Sequence, residues 1–437
     1  RRAALGSALA GLALGQGGAA LAATAASATP VARTPAATPI SSDADLTREK
    51  LAQAAGILAE LDLDLWMPVA RESDTLGDPI LPLILGTSVT WESAFLVSRT
   101  GGQQALVGSG DVENVRQTGA WGDVASYVQD FGAALREAIA AIDPRTIALD
   151  FSKDNFMADG LTYGMHLRLQ EILGGTPYWS RIVSGEAVSV RVRARKSAEE
   201  QRRLRAAVGT TMEMWAEMER WLRAGQTELE IADFMHRQLT ARGIGSAWDW
   251  RYCPTVIAGP NSPAFHTGPG DIATEPGQLL SIDFGVKQDL YCSDMQRSFY
   301  FLKPGETEPP AAARSAFAAV DRAIQTAAAR LKPGARGWEV DQAGREIFVA
   351  AGLAEWPYAL GHQVGRIEHD GGTLLAPKWE RYGARPDGVV EADEVYALEI
   401  GAPVPGFGWA SLEEDLLVTA SGAEFLAPPQ RQLVLIG

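Results

Sequence analysis

Apolar residues recur along the chain with two different periods, and these periods separate helical from extended stretches. From Leu46 to about Ile182, short apolar runs alternate with amphipathic stretches, which predicts an α/β region of strands and helices. Its length of about 140 residues is that of one common domain. The predicted elements are strands at Leu61–Val69, Ala94–Ser98, Gln104–Val107 and Thr146–Phe151, the middle two joined as a hairpin, and a helix at Phe131–Ile142.

The second part of the chain has longer helices and strands that are punctuated by Gly and Pro. A basic stretch at 191–196 is interpreted as a domain junction, and Ser197 after it is a helix N-cap with an acidic first turn. This pattern predicts a mixed α+β domain in which a sheet carries helices. The predicted helices run from Ser197 to about Arg223 and over Glu228–Arg242, Ala311–Leu331 and Val340–Ala351, with strand pairs within Leu279–Phe301 and Val395–Thr419.

The first 42 residues differ in composition from both parts. Arg1 and Arg2 precede an uncharged stretch rich in Ala, Gly and Leu, with small residues that suit a cleavage site near Ala28. We interpret residues 1–28 as a signal peptide of the twin-arginine type with its start missing, and 29–42 as a Pro/Thr/Ala linker. The alternative is a transmembrane anchor.

This interpretation sets the expected location of the protein. We expect the protein to be exported to the periplasm or the extracellular medium, without stable membrane association once the signal is removed. If the signal does not function, we expect the protein to be cytoplasmic. Export would permit a disulfide between Cys253 and Cys292, and two free, partly buried thiols fit equally well.

The charge balance excludes one class of partner. The chain has 437 residues, with 39 Lys and Arg against 54 Asp and Glu, for a net charge of −15. Nucleic-acid binding is not expected, because Lys and Arg supply most of the affinity for phosphates.

Candidate chemistry begins with a pair of aspartates in the first C-terminal strand pair. If Gln288 and Asp289 form its loop, Asp283 lies directly opposite Asp294, with Cβ atoms about 4.5–5.5 Å apart. Two carboxylates this close are destabilising unless a proton or a cation lies between them. The alternative is an exposed hairpin face with Arg297 as the acidic pair's partner.

A second strand pair repeats the arrangement with glutamates. Pairing centred on Gly406 brings Glu399 opposite Glu413. Glu414 then faces the other way, because strand side chains alternate, and it stays the fallback candidate.

Histidines complete a candidate metal-ligand set. Of the five in the chain, His266, His362 and His369 lie in Gly-rich, non-helical surroundings of the C-terminal part. Four carboxylates and an imidazole form a hard, oxygen-rich set that suits manganese, cobalt, iron or zinc. Two divalent ions would nearly balance four carboxylates, which favours a dinuclear centre.

These residues, in their local sequences, resemble the five-ligand pattern of the M24 metallopeptidases. These are the pita-bread-fold enzymes, which include Xaa-Pro aminopeptidase and Xaa-Pro dipeptidase (prolidase). The spacings agree too: 11 residues separate the aspartates, 14 separate the glutamates and 7 separate His362 from His369. The motifs are Ser-Ile-Asp283-Phe-Gly, Cys-Ser-Asp294-Met, Gly-His362-Gln-Val-Gly, Leu-Glu399-Ile-Gly and Leu-Glu413-Glu-Asp.

The resemblance implies a fold and a set of roles. It implies a creatinase-like α/β domain at 43–185 before a pita-bread metallopeptidase domain at 190–437, in a homodimer that acts on short peptides of the Xaa-Pro type. Two divalent ions, manganese first and cobalt, zinc or iron as alternatives, would bind a bridging hydroxide that attacks the peptide bond. Glu399 would move the proton, and His266 and His369 would contact the substrate and stabilise the intermediate. The implied metal ligands are Asp283, Asp294, His362, Glu399 and Glu413.

Three departures from the family pattern are expected beside the substrate pocket. Ser411 replaces a usual Arg, Gln363 a usual Gly, and Ile400 the Pro of a usual Glu-Pro-Gly. They leave the metal ligands intact but bear on the preference for proline. Arg366, Arg381 or Arg385 would replace the lost cation. Of these three, Arg366 is included among the predicted substrate-binding residues.

Two other functions remain open at this point. In the first, the same metal centre hydrolyses a non-proline amide, an ester or a phosphoester instead of an Xaa-Pro peptide. A catalytically inactive binding module is the second alternative, although such modules lose ligands that this chain retains.

Overall fold

A computed structural model of the chain describes residues 44–263 and 267–437. The signal-like segment, the linker and His266 lie outside the described residues. No helix in these two ranges is long and apolar enough to cross a membrane.

The N-terminal part is an α/β arrangement, as predicted. Its strands are β1 Leu65–Trp66, β2 Val69–Ala70, β3 Ser93–Ser98, β4 Gln103–Gly108, β5 Asp123–Tyr127, β6 Ile147–Leu149 and β7 Ile182–Ser184. Its helices are α1 Ala44–Glu60, α2 Ser73–Leu76, α3 Leu81–Ile84, α4 Val112–Gln117, α5 Phe131–Ile142, α6 Tyr163–Leu173 and α7 Glu186–Ala194. The sheet order is β5-β4-β3-β1-β6-β7, with β2 paired to β3.

Alternating side chains of this sheet feed two apolar layers. Trp66 and Phe95 pack with α1, α3 and α7 on one side. Leu65 and Leu96 pack with α5 and α6 on the other. The sheet is mixed, with parallel and antiparallel strand pairs, and helices on both of its faces bury it.

Several predicted N-terminal elements are confirmed, and two strands are shorter than predicted. Helix α5 has the predicted bounds, because the Asp130 side chain accepts a hydrogen bond from the Ala133 N–H and Asp143 ends the helix in a left-handed conformation. The hairpin β3–β4 is also confirmed. In place of the strand predicted at Leu61–Val69, a turn with positive φ at Asp62 follows α1, and two short strands, β1 and β2, begin at Leu65 and Val69. The strand predicted at Thr146–Phe151 covers only Ile147–Leu149.

The C-terminal part carries the second sheet. Its strands are β8 Gly245–Ser246, β9 Thr255–Ala258, β10 Leu279–Phe284, β11 Val286–Gln288, β12 Tyr291–Cys292, β13 Met295–Phe301, β14 Gly361–Gln363, β15 Val395–Val404, β16 Gly408–Thr419, β17 Gly422–Phe425 and β18 Val434–Ile436. Its helices are α8 Ala198–Trp221, α9 Glu228–Arg242, α10 Ala311–Arg330 and α11 Gly337–Ala350. The predicted mixed α+β domain is confirmed.

Two pairs of helices cover this sheet. Helices α8 and α9 pack with β9, β10 and β13, and α10 and α11 pack with β15 and β16. The main sheet runs β14-β15-β16-β13-β10-β9, with β17 beside β16 and β18 beside β13. Ser197 caps α8 together with Glu200, as the sequence predicted.

Of the registers predicted for the two acidic strand pairs, one is confirmed and the other is wrong. The predicted pairing of Glu399 with Glu413 across β15 and β16 is confirmed. The predicted pairing of Asp283 with Asp294 is wrong, because Asp283 lies opposite Gln296. The loop is Asp289-Leu290, with φ of 48° and 70°, rather than Gln288-Asp289. The register therefore shifts by two residues, which leaves both aspartates on one face.

The cysteine alternatives are also decided. Cys253 and Cys292 are both buried and both free. Burial raises the pKa of the Cys292 thiol to about 12, so this side chain packs as a neutral group.

Candidate metal centre

The predicted metal ligands lie on neighbouring strands of the main C-terminal sheet. Sheet order places β14, β15, β16, β13 and β10 side by side. The ligands lie on these strands or, for one aspartate, directly before β13, and all of them line one cavity: Asp283, Asp294, His362, Glu399 and Glu413.

Three of these side chains are close enough to share one ion. His362 Nε2 lies 3.5 Å from Glu413 Oε1 and 3.8 Å from Asp294 Oδ2. Candidate ligand atoms of all three residues lie within 4.8 Å of one another, and all three residues are buried. Such separations suit an ion about 2.0–2.2 Å from each ligand atom.

The imidazole of His362 is oriented by the backbone. Its Nδ1 lies 3.2 Å from the carbonyl oxygen of Glu368. A proton assigned to Nδ1 donates to that carbonyl and leaves the Nε2 lone pair facing Asp294 and Glu413. An outer hydrogen bond of this kind fixes the tautomer of a metal-binding histidine.

Asp283 and Glu399 extend the acidic surface beyond the first three candidate ligands. Asp283 Oδ1 is buried without a hydrogen-bond partner in the described part of the chain. The amide of Gln296 donates to Glu413 Oε2 at 2.9 Å and to Glu399 Oε2 at 3.3 Å. A buried carboxylate oxygen without a donor is costly, and a cation is the partner that such a group accepts best.

The electrostatics of the metal-free cavity agree with this. Burial raises the pKa of Asp283 and Asp294 well above the usual range, and Glu413 adds to the rise. Burial and Glu413 raise the pKa of Glu399 to about 8. Burial alone would lower the pKa of His362, but Glu413 and Glu399 raise it above its ordinary value. Without a cation, these groups therefore retain protons that metal binding would displace.

The cavity has a volume of about 630 Å³, and aromatic side chains form part of its described walls. This size suits a small ligand such as a short peptide. Phe156 reaches it from the N-terminal part, so both parts of the chain contribute to the walls. The aromatic side chains are Phe156, Trp248, Tyr252, Tyr358 and Tyr382.

The other predicted residues fall into two groups. His369 lines the cavity, and its ring lies perpendicular to that of His362 with centroids 4.4 Å apart. Arg385 lines the cavity as well. Arg366 and Arg381 are absent from its described lining: the Arg366 guanidinium donates to the Pro82 carbonyl, and Arg381 stacks on Tyr382.

The expectation that the three departures from the family pattern lie beside the substrate pocket is wrong. Ser411, Gln363 and Ile400 are fully buried and are not among the described residues that line the cavity. The Ser411 hydroxyl contacts that of Ser281, and the Gln363 amide donates to the Tyr396 hydroxyl. All three fill spaces inside the sheet and its packing.

The structure separates Glu413 from Glu414. Glu414 turns to the opposite face, where its two carboxylate oxygens each accept from Arg297 at 3.1 Å. Arg297 is therefore the partner of Glu414 and not of the aspartates. Of the two adjacent glutamates, Glu413 is the one that faces the cavity.

Three further polar residues were missed. Gln296 bridges two candidate ligands, Asp415 Oδ2 accepts from the Asp294 N–H at 2.9 Å, and Glu368 lines the cavity. Gln296 lies two residues after Asp294, and Asp415 lies two after Glu413. Strand alternation applied beyond the motifs would have identified both.

Comparisons with known proteins agree with this geometry. Residues 202–420 match the sequence model of a protein family described as metallopeptidase family M24. The chain belongs to this family.

Relatives of this M24 chain are described as peptidases. An uncharacterised peptidase of Staphylococcus saprophyticus is 30% identical over 207 residues, which is 47% of this chain and 55% of that protein. The match thus spans about half of the curated relative.

Solved structures show the fold across both parts of the M24 chain. The Xaa-Pro dipeptidase from Bacillus anthracis is 20% identical, with a TM-score of 0.69 over 90% of this chain and 100% of its own. The X-Pro aminopeptidase from Thermotoga maritima is 22% identical, with a TM-score of 0.65 over 89% and 99%. The pita-bread domain preceded by an α/β domain is therefore confirmed.

Proposed function

We propose that this M24 protein is a dinuclear-metal hydrolase that cleaves peptide bonds of short peptides, with Xaa-Pro peptides as its first candidate substrates. The observation that carries the proposal is the spacing of Asp294, His362 and Glu413 around a gap that suits a metal ion. Asp283 and Glu399 beside them would supply the ligands of a second ion.

The donor set fits hard divalent ions. Carboxylate oxygens and one imidazole nitrogen suit manganese, cobalt, zinc or iron, and manganese is our first choice. Two such ions would balance the four carboxylates, including the buried Asp283 oxygen without a described partner. When bound, the ions supply an activated water and polarise the scissile carbonyl.

The protein's own groups would handle protons and orientation. Glu399 would accept the proton of the attacking water and pass it to the leaving nitrogen. The Gln296 amide, 3.3 Å from Glu399 Oε2, would hold this carboxylate in place. His369 would donate a hydrogen bond to the developing negative charge, and we assign the same role to His266 from its sequence motif.

The walls of the cavity suit a small peptide with a free carboxyl end. Aromatic side chains offer apolar surface to a proline ring. Arg385 reaches the cavity with its guanidinium above the Phe156 ring, 5.7 Å from the centroid. We propose that Arg385, rather than Arg366, binds the substrate carboxylate.

Two predictions about the whole protein depend on sequence and resemblance. Export is suggested by the signal-like residues 1–28. The homodimer is suggested by the creatinase-like N-terminal domain. Both stay predictions, which subcellular fractionation and light scattering would check.

The test is a cleavage panel on the purified full chain with added manganese, cobalt or zinc. It compares Xaa-Pro dipeptides, Xaa-Pro-Xaa tripeptides and the same peptides with alanine in place of proline. Selective release of the residue before proline supports the proposal. Metal binding without cleavage of any peptide would contradict it and favour another amide or an ester.

Two arginine variants refine the test. Arg385→Met is expected to raise KM for dipeptides by about tenfold or more, because a charge-assisted contact is lost. Arg381→Met is the matched control: Arg381 does not itself line the cavity but stacks on Tyr382, which does, so this variant disturbs the aromatic wall without removing the Arg385 charge. Equal KM values for the two variants would remove Arg385 from the proposal.

A further inference from the structure

A cluster of buried charges lies beside the loop that carries His369. This junction cluster consists of Arg193, Lys196 and Asp370, whose side chains are only 3%, 1% and 3% exposed. Lys196 Nζ lies 2.8 Å from Asp370 Oδ2, and Arg193 contacts Oδ1. Burying three charges is expensive unless they are paired and hydrogen-bonded, as these three are.

The junction cluster ties separate segments together. Arg193, in the last turn of α7, also donates to the Pro79 carbonyl at 2.6 Å, which belongs to the N-terminal part. Lys196 Nζ donates to the Arg193 carbonyl at 2.6 Å. Asp370 is therefore held by two basic groups that are themselves fixed by the junction between the two parts.

The same aspartate shapes the loop of the site. The Asp370 N–H donates to the Gln363 carbonyl at 2.8 Å, which closes the loop that follows His362. A Cβ atom on Gly365 would lie 2.0 Å from Asp370 Oδ2 and 2.9 Å from Lys196 Nζ. The loop thus packs directly on the ion pairs, with no room for a side chain at Gly365.

His369 precedes Asp370 and is itself exposed to the cavity. Its position therefore depends on the buried residue that follows it in the chain. We propose that Asp370 is a positioning residue, whose ion pairs with Arg193 and Lys196 hold His369 at the cavity. This inference depends on the proposed peptidase function only for its kinetic test.

The kinetic test is a double-mutant cycle between Asp370 and His369. If Asp370 acts through His369, Asp370→Asn lowers kcat by about tenfold in the wild-type background and by less than about twofold in a His369→Ala background. KM is expected to change less than kcat. Multiplicative losses in the double variant would show a structural role only and would overturn the inference.

A matched control comes from another buried ion pair at the same junction. Lys50 and Glu200 are as deeply buried, at 0% and 1% exposure, and their side chains make no hydrogen bond to residues 362–370 in the described structure, although the charge of Asp370 acts on Lys50. The double variant Lys50→Met/Glu200→Gln is expected to keep kcat within about twofold of wild type. A tenfold loss in this control would contradict a specific role for Asp370.

A second readout works without turnover. Lys196→Met leaves the charge-balanced Arg193–Asp370 pair, so this variant is expected to fold. Carbon-13 labelling of histidine and NMR would follow the His369 ring signal, assigned by its loss in His369→Ala. A shift of this signal in Lys196→Met but not in the control supports the inference, and an unchanged signal overturns it. If wild type cleaves no peptide, the function fails while this arm still decides the inference.

Discussion

Two groups of buried charged side chains flank the loop from His362 to Asp370, and their charges are balanced differently. In the junction cluster, Asp370 has two basic partners within hydrogen-bonding distance. The cavity carboxylates have no ion pair with lysine or arginine in the described residues, and two of them, Asp294 and Glu413, lie 3.8 and 3.5 Å from His362 Nε2. They are Asp283, Asp294, Glu399 and Glu413.

The contrast distinguishes a structural group of charges from a site prepared for a ligand. Arg193 and Lys196 offset the burial of Asp370 and lower its pKa, so the carboxylate stays charged inside the protein. Burial instead raises the pKa of Asp283 and Asp294. The protein itself therefore provides too little positive charge to neutralise the cavity carboxylates. Metal ions would supply it.

The largest effect is expected from exchanging the two adjacent glutamates for glutamine. Glu413→Gln removes a proposed ligand and is expected to lower peptide cleavage by on the order of 1,000-fold or more, with loss of bound metal. Glu414→Gln is the control, because Glu414 pairs with Arg297 on the other face. It is expected to lower thermal stability but to keep the metal. Elemental analysis and kcat/KM would check both, and equal metal content in the two variants would contradict the assignment.

Removing bound metal with a chelator is expected to lower the stability of the protein, because only the folded cavity holds the carboxylates together as a metal site. At free metal about 1,000 times Kd, binding contributes about 4 kcal/mol of stability, which a chelator removes. Thermal unfolding with and without chelator measures the shift in Tm. Glu413→Gln should be insensitive to chelator. A Tm that chelator leaves unchanged in wild type would argue that the cavity binds no metal.

Removing one partner of a structural pair should cost more than removing both. Lys50→Met leaves Glu200 buried without its charge partner, which is expected to cost about 3–5 kcal/mol of unfolding free energy. Lys50→Met/Glu200→Gln should lie within about 1–2 kcal/mol of wild type, because no unpaired charge remains. Denaturant unfolding compares them. A double variant as unstable as the single one would show that packing, and not charge balance, dominates this pair.

The smallest effect concerns a buried acidic pair in the N-terminal part, Asp78 and Asp150. Burial raises the pKa of Asp150 to about 7 and that of Asp78 well above its usual range. The folded state therefore binds protons more tightly than the unfolded one, and this stability is lost as the pH rises from about 4 to 7.

Asp150→Asn should make stability less dependent on pH. The side-chain oxygen of asparagine keeps the hydrogen bonds from Trp66 and Ser189, and its amide adds a donor for Asp78. Between pH 5 and 8 the decrease in Tm should be a few degrees smaller than in wild type. The exposed Asp74→Asn is the control. Parallel Tm curves for wild type and Asp150→Asn would exclude the pair as the cause.

The acidic strand pairs show what local sequence can predict. The β15–β16 register followed from a loop centred on Gly406, whose φ of 81° suits glycine. In the first pair, Asp289 and Leu290 both adopt positive φ, and no glycine indicated this turn. The predicted register was therefore wrong by two residues, although strand periodicity kept both aspartates on the correct face.

Long-range contacts could not be predicted from local patterns. The sequence offered three arginines as a substitute cation, and only Arg385 lines the cavity in the described structure. Arg366 instead contacts Pro82, 284 residues away along the chain. The basic stretch before α8 was interpreted as a junction, but Asp370, the partner of Arg193 and Lys196, follows only from the fold.

The central claim is that the five predicted ligands hold two metal ions. Anomalous diffraction from crystals of the full chain grown with manganese tests it most directly. The account predicts two anomalous peaks among the cavity carboxylates, one of them within coordination distance of His362 Nε2. No peak there, or a peak bound by Glu414 in place of Glu413, would contradict it.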